Sequence, residues 1–255
     1  MNMTIAREGL REIAIATVLL GGCAAGASMV ALPLAAIPLV LWLGVLSFFR
    51  DPPRNREYTD GELCAPADGT VTEVTELEHH ATIGGPAVRI GIFLSLLNVH
   101  INRSPCTGVV RRITYAPGSF LDARHADSGA RNESNAIVID PDSPLPGPVE
   151  VRQVAGVLAR RIICHAAEGG RLGIGERFGL IKFGSRTELI VQRLCDTDVK
   201  VKVGDKVRAG LTIVARQPAR EADGASCAAA DEAAAPTERG VAASPVEPRR
   251  AGVST

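Results

Sequence analysis

The stretch Phe178-Gly-Leu-Ile-Lys-Phe-Gly-Ser-Arg-Thr-Glu-Leu-Ile-Val191 contains two strand-like runs, residues 178–183 and 188–191, on either side of a Gly-Ser pair. Short runs rich in β-branched and aromatic residues are typical of strands. A Gly-Ser pair is common in flexible turns, but a glycine inside a strand weakens the ladder and usually marks a bulge or backbone strain. Gly184 and Ser185 are therefore the first candidates for a special site.

Similar short runs, most of them bounded by Gly, Pro, Asp or Asn, recur through residues 50–216, and long helical periodicity is absent there. This pattern predicts a mainly β domain, a flattened barrel or sandwich. The further predicted strands are residues 70–77, 88–94, 108–115, 136–139, 149–157, 200–203 and 211–215.

Two phrases of this domain echo one another, Ala65-Pro-Ala-Asp-Gly-Thr-Val71 and Val201-Lys-Val-Gly-Asp-Lys-Val-Arg-Ala-Gly210. Both resemble the turn-and-strand phrases of biotinyl and lipoyl domains, in which glycines supply tight turns between strands of a flattened barrel. The resemblance indicates a fold and says little about activity.

The N-terminal part of the chain is predicted to be a membrane anchor, residues 1–49. Residues 13–49 form a run of 37 residues without Asp, Glu, Lys, Arg or His, and Pro33 and Pro38 divide it. One bilayer crossing takes roughly 20 helical residues. We therefore expect two short apolar helices, residues 13–30 and 34–49, packed as a hairpin, although one long tilted span stays open. Arginines on both sides of the run favour two cytoplasmic ends, which places the domain on the cytoplasmic side of the cell (inner) membrane.

Composition bounds the remaining possibilities. The formal net charge is zero, with 28 basic and 28 acidic residues, which argues against a nucleic-acid binder. The six cysteines are scattered without a C-x-x-C pair, so no metal site or disulfide framework is predicted. Residues 217–255 are rich in alanine and lack Phe, Trp, Tyr, Leu and Ile. We expect this segment to be a disordered tail because it cannot bury enough apolar surface.

Three positions combine reactive side chains with turn-forming neighbours. Asp68 precedes a glycine, where an aspartate most often closes a turn. His100 lies between an apolar run, residues 90–97, and a polar turn that carries Arg103, which is where a proton donor would be held. The Ser185 hydroxyl can attack the carbonyl of Gly184 and convert the amide to an ester, which then breaks.

Taken in order, these motifs resemble the short form of the phosphatidylserine decarboxylase family over residues 48–216. Each motif is modest alone, but the ordered set is specific. The residues that carry the resemblance are 48–54, 65–69, 98–105, 117–123, 132–135, 153–162 and 183–186.

The resemblance implies a proenzyme that cleaves itself between Gly184 and Ser185. Residues 1–184 would form a membrane-bound β chain and residues 185–255 a small α chain, paired as a heterodimer whose further dimerisation is left open. Ser185 would become a pyruvoyl group, a covalent cofactor that needs no metal. Its carbonyl would condense with the amine of phosphatidylserine, a membrane lipid, and take up the electrons released as carbon dioxide leaves. The product would be phosphatidylethanolamine.

The resemblance also implies roles for three further residues. His100 matches the histidine used around decarboxylation as a proton donor, and Asp68 matches an aspartate linked with serine activation during self-cleavage. Long bacterial enzymes carry a second histidine three residues after the first, where this chain has Arg103. Either His100 covers both duties, or cleavage relies mainly on strain and a water. We expect Arg103 to contact the substrate, because a guanidinium suits phosphate or carboxylate.

A second class of function stays open, a membrane-anchored lipoyl-like carrier or adaptor without catalysis. A carrier needs an exposed lysine at a hairpin tip, commonly between methionines. None of the four lysines of this chain has a methionine neighbour, which counts against a carrier.

Overall fold

Eight antiparallel strands form one curled, half-barrel sheet in the computed structural model of this chain, which describes residues 4–122, 128–156, 161–182 and 185–217. The fold is mainly β, as predicted. The strands are β1 (Thr4–Ile5), β2 (Arg50–Asp51), β3 (Glu62–Cys64), β4 (Gly69–His80), β5 (Gly85–Leu94), β6 (Ile101–Arg103), β7 (Gly108–Ala116), β8 (Ser134–Pro141), β9 (Val149–Val154), β10 (Arg161–Cys164), β11 (Arg171–Leu172), β12 (Arg177–Lys182), β13 (Ser185–Gln192), β14 (Asp198–Val199), β15 (Lys206–Val207) and β16 (Ile213–Arg216).

The large sheet has the order β11-β7-β8-β9-β13-β5-β4-β15. Two three-stranded sheets, β10-β12-β6 and β14-β16-β3, and the pair β1-β2 complete the sheet structure of the described residues. The helices are α1 (Leu10–Val30), α2 (Ala36–Phe48) and the short α3 (Ser128–Arg131), with 3-10 turns at Arg7–Gly9 and Leu32–Ala35.

Three neighbouring strands of the large sheet connect to the three strands of the sheet β10-β12-β6, which we call the small sheet. We name the line along which they connect the crossing corner. β5 leads into β6, β9 leads into β10, and β12 leads into β13, while the neighbour order is kept on both sides. The first two links are residues 95–100 and 155–160, six residues each, but the third is residues 183–184 alone. Registers agree, since Ser185 pairs with Leu94 and Lys182 pairs with Arg161.

The main core packs against one face of the large sheet. Side chains alternate between the two faces of a strand, so Leu189 and Val191 of β13 share a face with Ile90 and Ile92 of β5, and all four are buried in the main cluster. The same alternation places Ser185 and Thr187 in that row. The start of β13 thus continues a core-facing row with two hydroxyl side chains.

The two echoing phrases lie side by side. β15 pairs with the start of β4, the Gly210 amide donates to the Ala65 carbonyl at 3.0 Å, and the Val71 amide donates to the Asp205 carbonyl at 2.9 Å. Gly204 and Gly210 have φ of 99° and 68°, which side chains rarely tolerate. Each phrase therefore stabilises the other at the edge of the large sheet.

Two sequence predictions about strands are wrong, and local side-chain hydrogen bonds give the reason. Residues 200–203 are not a strand, because Asp205 Oδ2 accepts from the Lys202 amide at 3.0 Å and closes a turn. The run 90–97 ends as a strand at Leu94, because Asn98 Oδ1 accepts from the Ser95 amide at 2.9 Å. Short polar side chains of this kind compete with ladder bonds.

The apolar N-terminal run forms α1 and α2, close to the predicted bounds. Within the described residues, one helical segment, Arg7–Val30, is long and apolar enough to cross a membrane, while Leu32–Phe48 is shorter. The helices touch each other, since Trp42 Nε1 donates to Thr17 Oγ1 at 2.8 Å. No residue of α1 is buried. The long helix supports membrane association, and the hairpin stays a prediction. The predicted tail lies outside the described residues apart from Gln217, which is buried and bonded to Gly61.

A buried ion pair ties the segment after α2 to the small sheet. Asp51 of β2 accepts from Arg103 Nη2 at 2.9 Å and also pairs with Arg177. Asp51 and Arg103 are both buried. Charges removed from water need such partners, because an unpaired buried charge is costly.

We predict that Asp51→Asn destabilises the fold by about 3–5 kcal/mol, because the change keeps the shape and leaves the buried Arg103 charge without its partner. Urea unfolding of the detergent-solubilised protein measures this. The matched control is Asp198→Asn, which breaks an exposed pair with Lys200 and should cost below about 1 kcal/mol. Equal stability of the two variants would contradict the assignment.

Candidate active site

Ser185 begins β13 at the crossing corner. Its side chain is 0% exposed, and its Oγ has no hydrogen-bond partner among the described residues. Buried polar atoms almost always have a partner, so one without a partner calls for an explanation. Phe183 and Gly184, the two residues before it, lie outside the described residues. A buried hydroxyl that makes no hydrogen bond is available for reaction.

A chain of buried amides and one hydroxyl crosses the corner beside Ser185. Asn102 Nδ2 donates to Thr187 Oγ1 at 3.0 Å, Gln153 Nε2 donates to Asn102 Oδ1 at 2.9 Å, and Asn135 Nδ2 donates to Gln153 Oε1 at 3.2 Å. All four residues are buried. The network holds β6 against β9 and β13. Sequence reasoning missed it, because nothing in the local sequence around these amides sets them apart.

His100 lies in the link between β5 and β6 and is 1% exposed. Its Nδ1 is 3.0 Å from the Asn98 carbonyl oxygen. A carbonyl oxygen only accepts hydrogen bonds, so Nδ1 carries the hydrogen and Nε2 keeps its lone pair. The ring packs on Phe48 at the end of α2, with centroids 4.1 Å apart.

Burial sets the charge of this histidine. Desolvation is the main cause that lowers the pKa of His100, the hydrogen bond to Asn98 opposes it, and the nearby charge of Arg50 adds to it, so that the pKa is about 4. His100 is therefore neutral at pH 7. The predicted proton donor must first act as a proton acceptor, through Nε2.

Asp68 lies within the first echoing phrase, just before β4, whose Thr70 pairs with Phe93 near the end of β5. Its Oδ1 accepts from the Ala209 amide at 2.7 Å, and its Oδ2 accepts from Arg54 Nη2 at 2.8 Å. The carboxylate thus bonds to the second phrase, 141 residues along the chain, where a bond within its own turn was expected, and it forms a buried ion pair. Arg54 comes from the segment after α2, so this segment reaches the corner as well.

Arg103, the predicted substrate contact, is buried within the protein. Its Nη2 donates to Asp51 and its Nη1 donates to the Gly175 carbonyl at 2.9 Å. Burial lowers the pKa of Arg103 from its ordinary value, although the charge of Asp51 opposes this. A phosphate bound at Arg103 would have to replace Asp51, so the substrate contact stays a prediction.

Lys182, the last residue of β12, connects the Gly-Ser pair to the N-terminal segment. Its Nζ donates to Glu12 Oε1 at 2.7 Å and to the Glu8 carbonyl at 3.0 Å, and it lies 5.7 Å from the centre of the Phe49 ring. Sequence reasoning did not single out this lysine. The start of α1 therefore contacts the strand that leads into the crossing.

The structure thus places Ser185 and His100 at neighbouring links of the crossing corner and Asp68 just before the strand that pairs with the end of β5, and comparison with known proteins points to one family. The family model described as phosphatidylserine decarboxylase matches residues 43–215. Three relatives carry the name phosphatidylserine decarboxylase proenzyme. One from Rhodopirellula baltica is 42% identical over 218 residues, 84% of this chain and 89% of the relative. One from Symbiobacterium thermophilum is 45% identical over 185 residues, 72% and 84%. One from Pelobacter propionicus is 40% identical over 219 residues, 84% and 97%.

The protonation state of His100 gives a prediction that needs no activity assay. Nitrogen-15 histidine NMR, with the signal assigned by its loss in His100→Gln, should show a neutral ring with hydrogen on Nδ1 at pH 6. An unfolded histidine binds a proton near pH 6.5, whereas the folded one binds it near pH 4. The native state should therefore lose stability as the pH falls from 6.5 to 4, and His100→Gln should remove this part of the loss. A charged ring at pH 6 would contradict the assignment.

Proposed function

The chain belongs to the phosphatidylserine decarboxylase family, and we propose that it matures by cutting its own backbone between Gly184 and Ser185. It is an enzyme that converts phosphatidylserine to phosphatidylethanolamine and carbon dioxide. The observation that carries the proposed site is the Ser185 hydroxyl at the shortest link of the crossing corner, which is buried and has no hydrogen-bond partner in the part of the chain that the structure describes.

The cleavage would proceed through the Ser185 hydroxyl with His100 Nε2 as the base. As the Oγ proton moves to Nε2, Oγ attacks the Gly184 carbonyl carbon, and the amide bond is exchanged for an ester. Loss of the Cα proton of Ser185 then breaks the Cβ–Oγ bond and releases Gly184 as a carboxylate. Water replaces the nitrogen, which leaves as ammonia. The products are a β chain, residues 1–184, and an α chain that starts at position 185.

The residues around Ser185 fit a pyruvoyl group made in this way. The side chain lies in a core-facing row, and among the described residues no hydrogen bond would be broken when its oxygen leaves. Thr187 supplies a polar atom two residues along the same row, and Asn102 of β6 donates to it. When present, the group supplies a carbonyl that condenses with the substrate amine and accepts the electrons of the broken bond.

His100 would carry the proton during turnover. The substrate amine arrives as an ammonium ion, and it becomes nucleophilic only after losing a proton. The lone pair of Nε2 can accept that proton and, once carbon dioxide has left, return it to the former α-carbon. A pKa of about 4 in the empty site makes the charged ring a strong acid for that return. One histidine thus serves as acceptor first and donor second, so it needs no second histidine at position 103.

Asp68 would assist by position. The carboxylate is held by Arg54 and the Ala209 amide, and the Arg54 guanidinium balances its charge. Asp68 thereby joins the segment after α2 and the second phrase to the start of β4, which pairs with the end of β5. The resemblance assigns Asp68 to serine activation, and these contacts support a role through position.

The membrane anchor would keep the enzyme at the surface that contains its substrate. α1 is long and apolar enough to cross a bilayer, and arginines flank the apolar run on both sides. We expect both flanks, and therefore the catalytic domain, on the cytoplasmic side. Because the chain is shown to be of an enzyme family, the lipoyl-like carrier is no longer needed to explain the two echoing phrases.

Ser185→Ala should give a single uncut chain without decarboxylase activity, because alanine has no oxygen to form the ester. A denaturing gel and release of carbon dioxide from labelled phosphatidylserine measure the two effects. Ser134→Ala, which removes another buried serine at the start of β8, two strands away in the same sheet, should leave both unchanged. Cleavage or activity in Ser185→Ala would refute the proposal.

His100→Ala should reduce turnover about 100-fold or more, which is the size expected for loss of a general acid–base group, and should slow cleavage. Turnover is measured per mole of cut chain, so that the two duties are separated. His100→Ala that keeps full turnover would show that another group moves the proton.

A further inference from the structure

A tight turn between β5 and β6 carries two exposed leucines. Leu96 is 48% exposed and Leu97 is 82% exposed. Single exposed apolar residues are ordinary in soluble proteins and need no explanation. This pair differs because its turn is held by several bonds, lies against the end of an apolar helix, and leads directly to His100.

The turn is fixed by its own side chains. Asn98 Oδ1 accepts from the Ser95 amide at 2.9 Å and from Ser95 Oγ at 2.6 Å, and the Asn98 amide donates to the Ser95 carbonyl at 2.9 Å. These bonds join the two ends of the turn at residues 95–98. The exposure of the leucines is therefore built into the turn and does not depend on a loose loop.

One arginine joins this turn to the end of α2. Arg50 Nη2 donates to the Leu97 carbonyl at 2.6 Å, while Arg50 Nη1 donates to the Ser47 carbonyl at 2.6 Å and to Ser47 Oγ at 2.9 Å. The apolar side chains of α2 are themselves exposed. Leu97 thus lies beside the end of a helix whose exposed side chains are apolar. The exposed side chains of α2 are Ile37, Leu39, Val40, Leu41 and Leu43.

The turn also touches the candidate active site. The Asn98 carbonyl binds His100 Nδ1, and Phe48, the last residue of α2, packs on the His100 ring. Only Val99, which is buried, separates the turn from this histidine. A partner that covers Leu96 and Leu97 would therefore lie close to His100.

We propose that the turn at residues 95–98 inserts Leu96 and Leu97 into the lipid bilayer and so places the crossing corner at headgroup depth. The bilayer is the occupant because the turn is joined to the end of α2, whose exposed side chains are apolar. Arg50 lies between the helix end and the turn, where its guanidinium would meet the phosphate layer of the membrane. The lipid headgroup would then reach His100 while its acyl chains stay in the membrane. This inference rests on the proposed function and adds the route by which the substrate arrives.

The first test separates delivery from chemistry. Full-length protein in phosphatidylcholine vesicles is given either phosphatidylserine in the same bilayer or short-chain phosphatidylserine dissolved as monomers. Leu96→Ser/Leu97→Ser should lower the rate on the bilayer substrate about tenfold, because the apolar contact with the lipid is lost. Cleavage on a denaturing gel and the rate on monomers should stay unchanged. The control Val203→Ser alters an exposed aliphatic residue on another turn, 61% exposed, and should change neither rate.

An unchanged bilayer rate, or an equal loss on both substrates, would overturn the insertion. Failure of the proposed function has a different signature, an uncut and inactive wild-type chain. A second measurement needs no activity. In a Trp42→Phe background, Leu97→Trp fluorescence should be quenched by brominated acyl chains, and Val203→Trp fluorescence should not. A Leu97→Trp signal that is no more quenched than Val203→Trp would also overturn the proposal.

Discussion

The crossing corner is the constraint on which the rest of this structure depends. Three neighbouring strands pass between the large and the small sheet along one line, and the middle one has only residues 183–184 with which to do so. Because the strands are hydrogen-bonded in register on both sides, the strand ends that flank the links have fixed places. The start of β13, with Ser185, therefore lies beside the end of β5, which leads to His100. The start of β4, which follows Asp68, pairs with the same end of β5.

Burial at this corner shapes the chemistry. In a site that excludes water, a neutral imidazole and amide hydrogen bonds cost less than isolated charges, and the corner contains both. Charged side chains there are paired, among them Asp68 with Arg54 and Asp51 with Arg103. Both of these pairs join the segment after α2 to the domain. The segment that follows the predicted anchor is thus fixed near the strand that carries Ser185.

Much of the fold could be predicted from local sequence, while the hydrogen bonds and ion pairs that surround the site could not. Alternating β-branched runs gave most strands within a few residues, and an uncharged run gave the helices. Ser185, His100 and Asp68 stood out because each has unusual neighbours in the chain. Asn102 with Gln153 and Lys182 with Glu12 did not, because these partners are 51 and 170 residues apart. Contacts of that kind exist only after the sheets have formed.

The mass of the small chain tests the central claim most directly. Purified wild-type protein is denatured, the small chain is separated, and its intact mass and its reaction with a carbonyl reagent are recorded. The account predicts a chain that starts at position 185 and is lighter than the serine-terminated chain by one ammonia, with a group that reacts as a carbonyl. A small chain with a plain serine terminus, or an active protein that is a single uncut chain, would contradict it.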